Sequence, residues 1–213
     1  FTKPVFIGDN ITVIGEVEKE KVVRRNGAKE NDLICVTGDL GGAYAGLLVL
    51  KREKVTFMAN PKFNPDLATY EYVIQRQLKP EAGKQMIDWF KENDVLPTSM
   101  IDISDGLASE TLHICKESNV GCELYIEKLP IDYQAARTVE EFKILPETAA
   151  LNGGEDYELL FTINQKDYDK IKTNENVHII GYIKDKNAGC QLITPQNTTI
   201  ELKASGFDHY KKS

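Results

Sequence analysis

Long apolar runs are missing from this sequence of 213 residues. The longest, residues 43–50 with one glycine inside, has about eight residues, whereas a helix needs roughly 20 to span a bilayer. A surplus of basic residues is also missing, because 26 lysines and arginines stand against 33 acidic residues, for a net charge of −7. The sequence therefore argues against a membrane-spanning protein and against a general nucleic-acid or anionic-membrane surface. A nucleotide ligand is still compatible with it, since bound Mg²⁺ can offset negative charge locally.

Recognisable zinc and disulfide motifs are missing as well. None of the four cysteines is part of a CxxC pair, and none of the three histidines has ligand spacing with a cysteine or another histidine. We therefore expect reduced, mostly buried thiols in a cytoplasmic protein rather than disulfides or zinc. The cysteines are Cys35, Cys115, Cys122 and Cys190.

Helical and strand patterns alternate along the chain, and several strands follow one another near its end. With 41% hydrophobic and 28% charged residues, this order predicts a globular α+β fold built as a mixed-sheet α/β sandwich. The predicted strands are 11–17, 33–37, 100–103, 122–126, 159–163, 177–183, 191–194 and 198–202. The predicted helices are 43–50, 66–78, 81–93, 107–115, 133–142 and 166–172.

Two carboxylates and a hydroxyl lie within four residues where the strand at 100–103 gives way to a helix. Gly106 permits a sharp turn, which puts Asp102 and Asp105 at a strand-to-helix corner, with Ser104 or Asp105 placed to cap the helix. A carboxylate such as Asp102 inside an apolar strand costs free energy unless it is paired. Mg²⁺ could pair with it, since that ion takes one or two protein carboxylates together with water and phosphate oxygens. The segment is thus a candidate metal–phosphate corner, and its alternative is an ordinary helix cap.

Two further segments combine glycines with acidic residues. Residues 153–158 carry two glycines and three carboxylates in front of a strongly apolar strand. Carboxylates so close together repel one another unless cations or donors lie among them, so the segment is either a polar pocket wall or a solvated hairpin loop. Residues 38–42 form a glycine turn between a strand and a helix, a geometry that can aim N–H groups at a phosphate. Their spacing fits neither the P-loop nor the dinucleotide motif, so a tight turn without a ligand is an equally good interpretation.

Taken together, these segments resemble the thiamine-monophosphate kinase family. The resemblance is carried by Asp102–Leu107 and Gly153–Leu159, by Arg25–Lys29, Thr37–Gly41 and residues 46–47, and by Gly206–Tyr210 at the C-terminal end. The motifs occur in the family's order over nearly the whole chain. Gly83 stands where the resemblance leads us to expect an arginine.

The resemblance implies a fold, a reaction and a domain division. The family belongs to the aminoimidazole ribonucleotide synthetase superfamily, two-domain homodimers with ATP near the domain and subunit junction. Residues 1–28 would be the last strand region of a truncated N-terminal ATP-binding domain, and residues 29–213 the C-terminal domain. The reaction would be Mg²⁺-dependent phosphoryl transfer from ATP to thiamine monophosphate, and we expect the chain alone to be inactive.

The resemblance also implies roles for single residues, none of which is a catalytic acid or base. A phosphate monoester acceptor has a second pKa near 6, so it is already an anionic nucleophile at neutral pH. Metal ions and positioning would then supply the catalysis. The implied roles are Mg²⁺ ligands for Asp102 and Asp105, ATP contacts for Arg25 and Ser104, and contacts to thiamine phosphate for Glu155 and Phe207.

Other enzymes of the superfamily are alternatives, namely the purine-pathway cyclo-ligase, selenophosphate synthetase and the hydrogenase-maturation dehydratase. The pairing of Asp102–Leu107 with Gly153–Leu159 favours the thiamine enzyme. A different class of alternative is a non-catalytic module that binds a nucleotide or a metal.

Overall fold

A computed structural model describes residue 12 and residues 14–62, 64–65 and 67–204. The strands are β1 (Leu33–Thr37), β2 (Ser99–Asp102), β3 (Gly121–Tyr125), β4 (Leu159–Ile163), β5 (Val177–Lys184), β6 (Cys190–Ile193) and β7 (Thr199–Glu201). They form one seven-stranded sheet in the order β2-β4-β1-β5-β3-β6-β7. Strands β3 and β6 pair in parallel, and the other neighbours pair antiparallel. The predicted mixed sheet is therefore confirmed.

The helices pack on the sheet and against one another. They are α1 (Gly42–Ala59), α2 (Glu71–Leu78), α3 (Lys84–Glu92), α4 (Leu107–Ser118), α5 (Tyr133–Glu141), α6 (Pro146–Asn152) and α7 (Tyr168–Ile171). Short 3₁₀ turns occur at Lys19–Lys21, Ala68–Tyr70, Ile126–Lys128, Gln165–Asp167 and Lys186–Ala188.

Apolar residues cover both faces of the sheet. Alternation along β1 places Ile34 and Val36 in the core cluster that includes residues of α4, while Cys35 lies in the cluster on the other face, which includes residues of α3. On that second face the rings of Phe90 and Phe161 pack edge to face, with centroids 5.0 Å apart. The sheet thus holds the strand ends rigidly for the loops that connect them.

Helices α1, α2 and α5 form a third cluster. Helices α1 and α2 cross closely at Gly46, where a Cβ atom would lie 2.0 Å from the carbonyl oxygen of Val73. Only glycine permits this approach, and the crossing fixes α2 in front of the turn between β1 and α1. A polar side chain on α2 can therefore reach that turn.

Three elements differ from the sequence prediction. Helix α1 continues to Ala59 rather than ending at residue 50, because the exposed residues that follow are mostly good helix formers. Helix α6, which begins with Pro146 in its first turn, was not predicted. Residues 12 and 14–17 form no strand, and Ile14 and Val17 are exposed; the other residues of that predicted strand lie outside the described ranges.

Within the described part of the chain, we find no helix with the length and apolar character needed to cross a membrane.

Candidate active site

The candidate corner lies between the edge strand β2 and helix α4. Strand β2 ends at Asp102, and α4 begins at Leu107 after a turn of four residues. Gly106 has a φ of +115°, and a Cβ atom there would lie 2.7 Å from the Leu151 carbonyl oxygen. Another residue at this position would strain the turn. The strand-to-helix corner predicted from the sequence is therefore present.

A residue that the sequence analysis missed, Glu110, holds the start of α4. Its Oε1 accepts hydrogen bonds from Ser104 Oγ at 3.2 Å and from the Asp105 backbone N–H at 3.0 Å. The helix N-cap is Gly106, without a side-chain cap, so the prediction that Ser104 or Asp105 caps α4 is wrong. Glu110 is only 2% exposed. Its sole sequence signal was an acidic residue on the apolar face of the predicted helix.

The carboxylates of Asp102 and Asp105 are both exposed. Asp102 is the last residue of the edge strand β2, where water solvates its carboxylate. The prediction that it lies inside an apolar strand is therefore wrong. Among the described residues, neither carboxylate has a hydrogen-bond or ion-pair partner. Two acidic side chains are thus presented by a rigid turn without being used by the fold.

This donor set fits a hard cation that keeps part of its water shell. No three carboxylates converge in the described ranges, so the corner is not a closed protein cage. Mg²⁺ is usually bound through one or two carboxylates and completes its octahedral shell with water and phosphate oxygens. Asp102 and Asp105 are therefore suitable ligands for Mg²⁺ that arrives with a phosphorylated substrate.

The loop between α6 and β4 lies directly against this corner. The backbone N–H groups of Glu155 and Tyr157 donate to the carbonyl oxygens of Ser104 and Ile103, at 2.7 and 2.9 Å. Glu155 and Tyr157 both have positive φ, at 61° and 52°, a conformation rare for non-glycine residues and often found at functional sites. The exposed Glu155 carboxylate accepts a hydrogen bond from Gln77 Nε2. The structure thus places the Glu155 backbone against Ser104, beside the turn that carries Asp105, while the Glu155 carboxylate contacts Gln77 on α2.

The next residue of this loop, Asp156, is buried and faces the N-terminus of α1. Its carboxylate accepts the N–H groups of Gly41 at 2.8 Å and Ala43 at 3.2 Å. Burial raises the pKa of Asp156 from 3.8 to about 6, against the lowering effect of those two hydrogen bonds and of Arg76. The turn at 38–42 therefore does bind a carboxylate with its N–H groups, but the carboxylate belongs to the protein itself.

Arg76 on α2 forms an ion pair with the acidic loop, which is the segment of residues 153–158. Its guanidinium donates to Glu158 Oε1 at 2.9 Å and to the Asp39 carbonyl oxygen at 2.9 Å. The other oxygen of Glu158 accepts the hydroxyl of Thr37. Both partners of the ion pair are largely buried, with side chains 20% and 17% exposed. The interpretation of residues 153–158 as a solvated hairpin is therefore wrong for Asp156 and Glu158.

One of the two remaining predicted site residues, Arg25, does not join this group. Arg25 lies in a turn and is exposed. Its backbone carbonyl oxygen accepts a hydrogen bond from Ser118 Oγ at the C-terminal end of α4. The twelve residues of α4 separate that end from Asp105 by about 18 Å. Phe207 lies outside the described residues.

Comparison with known proteins finds several curated relatives that are thiamine-monophosphate kinases. No family model matches the sequence. The thiamine-monophosphate kinase of Buchnera aphidicola subsp. Schizaphis graminum is 36% identical over 209 residues, which are 94% of this chain and 59% of that protein. The thiamine-monophosphate kinase of Bacillus subtilis is 32% identical over 94% of this chain and 59% of that protein. That of Aquifex aeolicus is 38% identical over 157 residues, which are 73% of this chain and 46% of that protein. The chain therefore spans about half the length of these relatives, from 46% to 59%.

Solved structures agree with the sequence comparison. AaThiL complexed with AMPPCP and TMP is 29% identical, with a TM-score of 0.66 over 88% of this chain and 54% of that one. Thiamine-monophosphate kinase from Stenotrophomonas maltophilia K279a is 27% identical, with a TM-score of 0.67 over 88% of this chain and 56% of that one. The hydrogenase maturation protein HypE of Escherichia coli shares the fold at 13% identity, with a TM-score of 0.64 over 88% of this chain and 54% of that one. The resemblance carried by the motifs is thus confirmed.

Proposed function

We propose that this chain is part of an enzyme that transfers a phosphoryl group from ATP to thiamine monophosphate and so produces thiamine diphosphate. The observation that carries the proposal is the exposed pair Asp102 and Asp105 on the turn before α4, which has no hydrogen-bond or ion-pair partner among the described residues. The chain that presents this pair is about a third identical to thiamine-monophosphate kinases. The similar AaThiL structure holds AMPPCP, an analogue of ATP, together with TMP. Both substrates of the proposed reaction are thus represented in a related protein.

Asp102 and Asp105 are proposed as the Mg²⁺ ligands. The metal would supply charge neutralisation between two polyanionic substrates, which is the main obstacle to this reaction. Glu110 acts as a positioning residue, because its buried carboxylate fixes Ser104 Oγ and the Asp105 backbone. The turn that carries the two carboxylates is then fixed before substrate arrives, which lowers the entropic cost of assembling the site.

The remaining assignments are proposals of the same kind. Ser104 would contact the ATP phosphates beside the metal, and Glu155 would complement the cationic thiamine, since it is exposed beside Ser104. Phe207 would cover the thiamine rings. Arg25 would contact a part of ATP remote from the transferred phosphate, because about 18 Å of helix separates its turn from Asp105. The acceptor phosphate needs no protein base, since it is largely a dianion at neutral pH.

The wider organisation is also proposed. Residues 1–28 would be the last strand region of an N-terminal ATP-binding domain and residues 29–213 the C-terminal domain of the aminoimidazole ribonucleotide synthetase type. The enzyme would be a cytoplasmic homodimer. The comparisons support a longer enzyme, because the chain covers 59% of its first two relatives.

An assay of the complete protein that contains this sequence tests the proposal. With ATP, Mg²⁺ and thiamine monophosphate, we expect thiamine diphosphate to form, and we expect Asp105→Asn to reduce turnover by about 100-fold or more. Asp88→Asn is the matched control, since Asp88 is an exposed aspartate on α3, and it should leave turnover unchanged. A complete, folded protein that binds ATP but forms no thiamine diphosphate would instead favour another enzyme of the superfamily or a binding module.

A further inference from the structure

Three of the four cysteines meet at one point of the fold, away from the proposed active site. Cys115 comes from α4, Cys122 from β3 and Cys190 from β6, and their Sγ atoms all lie within 4.8 Å of one another. Cys122 and Cys190 are direct partners in the parallel pair of β3 and β6, so their side chains share one face of the sheet. Helix α4 covers that face and adds Cys115. The sequence could not reveal this, because Cys190 is far along the chain from Cys115 and Cys122 and reaches them only through the pairing of β3 and β6.

We propose that these three cysteines bind a thiophilic divalent metal ion, and that Zn²⁺ suits them best. With a metal–sulfur distance of about 2.3 Å, the sulfurs of a thiolate site lie about 3.8–4.0 Å apart. No two of the present sulfurs are more than 4.8 Å apart, so at most about an ångström of movement would bring them to that spacing. All three thiols are free, and a disulfide would use only two of them.

Charge and ligand type select the ion. Thiolates are soft ligands that favour Zn²⁺ and Cu⁺ over Mg²⁺ and Ca²⁺. Three thiolates around Zn²⁺ leave one net negative charge, whereas around Cu⁺ they leave two, and buried charge is costly. Binding would release the three thiol protons to solvent. No histidine or carboxylate joins the three sulfurs in the described ranges, so a water molecule would be the fourth ligand.

An entry path for the ion and its water exists beside Cys190. This cysteine is half-buried, whereas Cys115 and Cys122 are buried. Cys190 is among the residues that line an open pocket of about 470 Å³, together with Leu112 of α4 and residues 188–191 and 199–202. The ion would therefore reach the sulfurs from solvent without unfolding of the sheet.

The consequence for the protein is a link between three elements. A bound ion would tie α4 to β3 and β6 five residues beyond Glu110, the residue that positions the corner. Metal binding adds its free energy to folding when the unfolded chain offers no such site. This inference does not depend on the proposed kinase activity.

Metal titration of the reduced, metal-free protein tests the proposal. We expect one Zn²⁺ per chain, a rise in Tm with equimolar Zn²⁺, and a sulfur-to-cadmium charge-transfer band with Cd²⁺ whose intensity corresponds to three thiolates. Cys190→Ser should lower Zn²⁺ affinity by about 100-fold or more, since even the loss of a residue that only hydrogen-bonds to a metal ligand costs about 10–100-fold. It should also reduce the cadmium band to two thiolates.

Two controls keep the test decisive. Cys35 is buried on the other face of the sheet, away from the cluster, so Cys35→Ala should leave Zn²⁺ stoichiometry and affinity unchanged. Cys190 is half-buried, so its serine variant is expected to fold, and circular dichroism checks this. Absence of Zn²⁺ binding at micromolar concentration, or equal binding by Cys190→Ser, would overturn the proposal and leave three ordinary core thiols. Failure of the kinase assay would affect neither result.

Discussion

The acidic corner and the acidic loop of this protein lie side by side but treat their carboxylates in opposite ways. At the corner, Asp102 and Asp105 are exposed and have no partner in the part of the chain that the structure describes. In the loop, Asp156 and Glu158 are buried or largely buried and are engaged by backbone N–H groups, Thr37 and Arg76. The two regions are joined directly, because the Ile103 N–H donates to the Glu158 carbonyl oxygen at 2.8 Å.

The difference teaches that acidic clustering alone does not separate a ligand site from a structural network. What separates them is the supply of donors within the fold. The loop carboxylates meet a helix N-terminus and a guanidinium, so donors within the fold offset part of the cost of burying their charge. The corner carboxylates meet water, so their charge stays available for a cation from outside. The comparison therefore predicts large stability effects in the loop and small ones at the corner.

The largest effect is expected for Arg76→Met. This change leaves the carboxylates of Glu158 and Asp156 without their cation in a largely buried site, and breaking such a pair typically costs about 3–5 kcal/mol. Urea denaturation should show this loss in the free energy of unfolding. Adding Glu158→Gln should recover part of it, because the uncompensated charge is then removed.

The matched control for that experiment is Lys91→Met. Lys91 lies 4.0 Å from Asp88, and both side chains are at least half exposed, so its loss should cost less than about 0.5 kcal/mol. Equal effects of Arg76→Met and Lys91→Met would show that the loop is not held by its guanidinium.

The second effect is a pH dependence that Asp156 should impose. Burial raises the pKa of Asp156 from 3.8 to about 6. Between pH 3.8 and about 6, the folded protein therefore keeps the Asp156 proton, whereas the unfolded chain has lost it. Its contribution to stability is therefore complete below pH 3.8 and is lost as the pH rises through about 6. A shift of about 2 units corresponds to about 3 kcal/mol.

Comparing the wild type with Asp156→Asn separates the titration of Asp156 from that of every other group, because the other groups are the same in both proteins. The free energy of unfolding of the wild type, minus that of Asp156→Asn, should fall by about 3 kcal/mol between pH 3.5 and 7. A flat difference over that range would mean that the two N–H groups of Gly41 and Ala43 stabilise the ionised form as well as water does.

The sequence predicted the elements better than the contacts between them. Short apolar segments located β1, β4 and β5 to within one residue, and Gly106 located the corner, because these signals are local. The partners Arg76 and Glu110 were missed for different reasons. Arg76 reaches Glu158 across 82 positions, and no periodicity encodes such a distance. Glu110 was missed because an acidic residue within a helix is common, and its role depends on the two hydrogen bonds that its Oε1 accepts from the preceding turn.

The smallest effect on stability is expected at the corner itself. Asp102→Asn and Asp105→Asn each remove an exposed charge without a partner, so the free energy of unfolding should change by less than about 0.5 kcal/mol. Affinity for Mn²⁺ in the presence of ATP, followed by electron paramagnetic resonance on the complete protein, should nevertheless fall by about tenfold or more for each variant. A loss of stability above about 1 kcal/mol with unchanged metal affinity would reverse the comparison. It would place Asp102 and Asp105 with Asp156 and Glu158 as carboxylates that serve the fold, and the metal of the proposed reaction would then need ligands from elsewhere.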